Sequence, residues 1–86
     1  MPVRGLAAGP NPVRSATHIC YTLPRAGFVD CAVYDGTGRR VVELARGWQG
    51  AGDQSLRWNA AGAQPGVYVV RLGGAASGSV RVVKAD

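Results

Sequence analysis

Two cysteines, one histidine and five carboxylates stand out in this 86-residue sequence among the side chains whose types could do chemistry. In "ATHICYTL" His18 stands two residues before Cys20, the spacing of a thiol and a base on one face of a strand. A Cys/His dyad needs the imidazole within hydrogen-bond reach of sulfur and a third group to orient it. No carboxylate neighbours His18 in the sequence, so it reads as an ordinary surface histidine. Cys20 and Cys31 are too few for a closed zinc site. Asp35 belongs to a turn and Asp86 stands at the last position, which leaves Asp30, Glu43 and Asp53. These are too dispersed for a carboxylate pair or a calcium loop. The glycines fit neither a phosphate loop nor a dinucleotide fingerprint, since "GTGRR" runs into a strand. No catalytic residue, metal site or cofactor is expected.

The elements that would have to position such groups are strands. Period-two alternation runs through most of the chain, and no window keeps an apolar face at helical spacing. Thirteen glycines and five prolines supply the turns. A short edge segment is expected around Val3 to Ala8, ended by Gly9-Pro10-Asn11-Pro12, where two prolines remove ladder donors. In "ATHICYTL" Ile19, Tyr21 and Leu23 share one face, and His18, Cys20 and Thr22 the other. "FVDCAVYD" puts Val29, Cys31 and Val33 together, opposite Asp30 and Ala32. Parity therefore places Cys31 on the core face and Cys20 on the outer face, and a disulfide between them would need a one-residue error in register.

In "YDGTGRR" Asp35 can accept bonds from the following backbone N–H groups while Gly38 takes a left-handed conformation. "RRVVELAR" is a strand whose Val41 and Leu44 are three apart, so one face holds both only with a bulge, and its register stays open. "GWQGAGD" reads as a loop. Trp48 in it is a candidate surface contact, or a plug over one end of the body, as its usual burial favours. "QSLRWN" turns Leu56 and Trp58 inward; "VYVVRL" does the same for Tyr68, Val70 and Leu72, and "SVRVVK" for Val80 and Val82. About seven short strands with a turn roughly every ten residues predict an all-β, immunoglobulin- or fibronectin-III-like antiparallel sandwich. One domain over 1–86 is expected, with 1–12 as edge strand and Pro-Asn-Pro boundary and 13–84 as the sandwich body.

The net charge of +5 rests on ten Lys and Arg, and the arginines are scattered along the chain. A nucleic-acid binder clusters its cations on one face and interleaves aromatics; without a visible cluster, no nucleic-acid partner is expected. No apolar run of about 18 residues exists, so no membrane span is expected either. The domain should be a monomer in isolation.

Taken in order, "GPNPVRSATHICYTLP", "AVYDGTGRRVVEL", "GDQSLRWNA", "PGVYVVRL" and "SVRVVK" resemble the carboxy-terminal sorting domain of type IX secretion substrates. They are also similar to the immunoglobulin-like domain of flagellar hook-capping proteins. The resemblance implies a sandwich forming the C-terminal part of a larger secreted bacterial protein. It implies recognition by outer-membrane secretion machinery, removal by a sortase-like protease, and a secreted or cell-surface destination. Carried onto this sequence, Asn11 and Pro12 match the opening element, Asp35, Gly38 and Arg39 the turn element, Gly66 and Tyr68 the GxY element, and Lys84 the terminal basic position. Val13 stands where an aromatic is frequent. The implied function is a non-enzymatic sorting module, with secretion proteins or a neighbouring domain of the same precursor as partners. The alternative is an immunoglobulin-like structural, adhesive or spacer module attached to a larger enzyme or filament protein.

Overall fold

The computed structural model describes residues 4–86. It contains seven strands: β1 Arg4–Gly9, β2 Ala16–Leu23, β3 Gly27–Tyr34, β4 Arg40–Gln49, β5 Gly52–Asn59, β6 Gly66–Gly74 and β7 Gly78–Lys84. A three-stranded sheet, in order β1-β2-β5, faces a four-stranded one, β4-β3-β6-β7, and all neighbours within them run antiparallel. This is the expected all-β sandwich. Of the edge segment expected from Val3, Val3 itself lies outside the described residues and β1 begins at Arg4.

Alternation fills the space between the sheets. Ile19, Tyr21 and Leu23 of β2 meet Val29, Cys31 and Val33 of β3, and all six are buried. Trp58 comes from β5, Tyr68, Val70 and Leu72 from β6, and Val82 from β7. Each is the every-second residue that a pleated strand turns to one side. Both cysteines are free, Cys31 buried and Cys20 exposed, as strand parity requires.

The register of β4 carries two irregularities. Tyr34 pairs with Arg40 but Val33 with Val42, and Ala32 pairs with Glu43 but Cys31 with Ala45. Val41 and Leu44 are thus the extra residues of two bulges, which is how valine and leucine three apart coexist on this strand. The strand also runs further than the glycines of "GWQGAGD" imply. Gly47, Trp48 and Gln49 pair with Val29, Phe28 and Gly27, so this stretch is not a loop. Antiparallel pairing with β3 holds it extended despite its flanking glycines.

Two contacts lock one sheet to the other. The Tyr21 hydroxyl, from β2, donates to Oε1 of Gln49 on β4 at 2.6 Å. Trp58 of β5 meets Tyr68 of β6 edge to face, with ring centroids 5.3 Å apart. Tyr68 in turn donates its hydroxyl to the Gln64 carbonyl at 2.6 Å. A tyrosine near the start of such a strand, bonded back to the chain a few residues upstream, is the tyrosine corner of immunoglobulin-type sandwiches.

Candidate functional site

The strand pairings fix which residues share an end of the body. Ala16 pairs with Asn59, Tyr34 with Arg40, Gly66 with Lys84 and Gly9 with His18. The turn element, the GxY element, the terminal lysine and the Pro-Asn-Pro segment therefore gather at one pole. All eight residues that the sequence picked out there, from Asn11 to Lys84, belong to it.

The Asp35–Arg39 turn forms as its residue types dictate. The Asp35 carboxylate accepts the Thr37 hydroxyl at 2.6 Å, the Thr37 N–H at 2.9 Å and the Arg39 N–H at 3.0 Å. The Thr37 hydroxyl, then the Arg39 N–H, hold the carboxyl below its ordinary pKa. Gly38 has φ +86° and supplies the left-handed residue. The Arg39 side chain is left exposed. The turn stands between two hollows of about 530 and 310 Å³. Tyr34, Val67, Val69 and Arg71 line the first, and Gln64, Pro65 and Gly66 the second.

Tyr68 and Lys84 point inward, 7% and 6% exposed. Tyr68 is spent on the corner described above, and Lys84 Nζ donates to the Ala85 carbonyl at 3.0 Å. These two motif side chains build the pole from within. The surface at the pole comes from Pro12, Gly38, Arg39 and Gly66, all exposed.

Asn11 does more than separate two prolines. Its Nδ2 donates to the Arg81 carbonyl at 2.9 Å, and the Val83 N–H donates to its Oδ1 at 2.9 Å. Two residues on, the Val13 N–H donates to Val83 O and the Ala85 N–H to Val13 O, both at 2.8 Å. The Asn11 amide thus copies a peptide group of a paired strand and continues a short parallel bridge along β7. Pro10 O accepts the Thr17 hydroxyl at 2.8 Å. The Pro-Asn-Pro boundary is thus stitched to the body: the prolines remove donors, and the asparagine side chain supplies a donor and an acceptor in their place. The same stitch occupies the edge of β7 from Arg81 to Ala85, which would otherwise be open to a partner strand. Val13, in the position where an aromatic is frequent, is fully buried.

Trp48 lies at the opposite pole. It is 75% exposed, which rules out the plug, and it pairs across the ladder with Phe28, itself 46% exposed. Sequence reasoning missed Phe28 as its companion because the β4 register was open. It missed the role of Asn11 as well; the signal was an amide set between prolines, the one side chain able to donate and accept as a peptide does. His18 is exposed on the outer face of β2, opposite Arg57. Among the described residues no group of three or more His, Cys, Asp or Glu is placed to hold a metal ion.

A solved structure with this fold is the Pseudomonas fluorescens alkylpurine DNA glycosylase AlkC bound to DNA containing an abasic site analog. It aligns with 98% of this chain at 21% identity and a TM-score of 0.59. The chain spans only 30% of that enzyme's length, and the likeness concerns the fold. No curated protein matches. The family model of the secretion system C-terminal sorting domain matches residues 9–84, from the Pro-Asn-Pro segment to the terminal lysine. That match takes in every element of the pole and nearly the whole sandwich, and the chain belongs to the secretion system C-terminal sorting domain family.

Proposed function

We propose that this domain is a non-enzymatic sorting module of an exported bacterial protein, read by outer-membrane secretion machinery at the motif pole. The observation that supports the reading is the convergence of the motif elements, distant in sequence, on one end of the body. Tyr68, Lys84 and the Asn11 amide hold that end in shape, while Arg39, Gly38, Gly66 and Pro12 form the surface that a reader touches. An exposed arginine whose backbone is held in a hydrogen-bonded turn offers a partner a cation from a fixed backbone position.

Fusion of residues 1–86 to a reporter, in a host carrying a type IX system, tests this. The reporter is expected at the surface or in the medium. Arg39→Glu should lower export with little change in stability, whereas Trp48→Ala, at the far pole, should export normally. A reporter retained in the periplasm overturns the reading.

A second reading, a structural module attached to a larger protein, draws on the glycosylase structure, where a body of this fold accounts for 30% of a longer chain. It predicts that the fusion stays in the periplasm with or without Arg39→Glu.

A further inference from the structure

The fold collects what the sequence scatters. On the outer face of the four-stranded sheet stand Arg40 and Arg46 of β4, Arg71 of β6 and Arg81 of β7, all exposed. Register places them as a group. Arg46 is opposite Asp30, Arg71 opposite Ala32, Arg40 opposite Tyr34, and Arg81 opposite Val69, which itself pairs with Tyr34. The carboxylates on this face are Asp30 and Glu43. Asp30 already has a cation, Arg40, at 4.0 Å.

Aromatic rings flank the arginines at both ends. Tyr34 closes one end, with the Arg71 guanidinium 5.6 Å from its ring centroid. Phe28 and Trp48 form the other, cross-strand and largely exposed. Tyr34 and Phe28 are six positions apart on β3, roughly 20 Å at about 3.3 Å per residue. The linear sequence shows no cluster of cations, but in space they gather on one face, with rings at both of its ends.

We propose that this sheet face binds single-stranded nucleic acid, with the arginines on phosphates and bases stacked on Trp48, Phe28 and Tyr34. A folded protein partner would be served by one central apolar anchor. Two ring platforms separated by a band of cations suit a linear polyanion with flat faces. The Arg71 stack on Tyr34 presets a cation beside a ring.

The test is a titration of fluorescein-labelled oligo(dT) with the purified domain, read by anisotropy and tryptophan emission. Binding is expected to quench Trp48 and to weaken with salt, with a log–log slope of about −2 for phosphate contacts by Arg46, Arg71 and Arg81 at about 0.7 each, Arg40 being held by Asp30. Trp48→Ala and Tyr34→Ala should each weaken binding by about tenfold. Arg71→Ala should reduce the slope by about 0.7. Arg57→Ala, on the outer face of the other sheet, should leave the affinity unchanged. Trp48 is exposed enough that its removal does not threaten the fold, so its result stands even if Tyr34→Ala unfolds.

Absence of binding overturns the proposal. So does binding that ignores both ring substitutions, or a preference for heparin over oligo(dT), because either makes the face a general polyanion or polysaccharide surface. Export of the Trp48→Ala fusion is a separate readout, so failure here and failure of the sorting function are distinguishable.

Discussion

Tyr68 stands edge-on to Trp58, with ring centroids 5.3 Å apart and ring planes inclined at 66°, so one aromatic pair joins the two sheets beside the motif pole. Its hydroxyl is committed to the Gln64 carbonyl. Tyr68→Phe should keep the ring contact, lose that bond and cost about 1 kcal/mol. Tyr68→Ala should cost about 3–5 kcal/mol. Urea denaturation followed by fluorescence of the buried Trp58 separates the two. Equal losses would show that the hydroxyl, and not the ring, matters.

The Asn11 stitch predicts a different phenotype. Asn11→Ala removes both side-chain bonds to β7 and uncovers Arg81 O and Val83 N–H, for about 1–2 kcal/mol. Asn11→Asp keeps an acceptor for Val83 but loses the donor to Arg81, so it should fall between parent and alanine variant near neutral pH. The alanine variant should also self-associate as concentration rises, because an unpaired strand edge is open to pairing. Light scattering after size-exclusion chromatography checks this; a strictly monomeric alanine variant would remove the edge-protection role.

Burial, helped by the Asp30 charge, pushes the Cys31 thiol from its ordinary value of 9.0 up to about 11. The unfolded chain then releases this proton from about pH 9, whereas the folded chain keeps it. Stability from this site is therefore intact below pH 9 and falls between pH 9 and about 11, by on the order of 2–3 kcal/mol. Tyr21, raised chiefly by burial, adds a fall in the same direction above its ordinary value of 10.0. Denaturation midpoints across this range should decline in the parent and decline less in Cys31→Ala. Ellman's reagent should label Cys20 in the folded protein and both thiols after unfolding.

Gly74 and Gly38 offer a matched comparison. Both have positive φ, +97° and +86°, but only Gly74 lies so close to Phe28 that a Cβ would meet its carbonyl. Gly38 has open space around it. Gly38→Ala should cost about 1–2 kcal/mol, the strain of the left-handed conformation alone. Gly74→Ala adds a backbone collision and should cost more than about 3 kcal/mol, or prevent folding. Similar thermal midpoints for the two variants would contradict the geometry.

The inner faces were legible in the sequence because side chains of a strand alternate with period two, so Ile19, Val29 and Val70 reveal their direction locally. The Asp35 turn was legible for the same reason: its bonds close within four residues. What escaped depends on pairing between distant segments. Asn11 reaches Val83 across 72 positions, and no local pattern announces that contact. The glycines around Trp48 read as a loop, and the β4 bulges hide its partner Phe28. The arginine face was invisible for a related reason. Arg46, Arg71 and Arg81 become neighbours only after three registers are fixed.

Asparagine ages in proteins when the backbone nitrogen of the following residue attacks the side-chain carbonyl, expels ammonia and forms a succinimide. After Asn11 that nitrogen belongs to Pro12, a tertiary amide with no hydrogen to give up. The usual route from asparagine to aspartate or isoaspartate is closed at this position. The proline that denies the chain a ladder donor thereby shields its replacement from deamidation by that route.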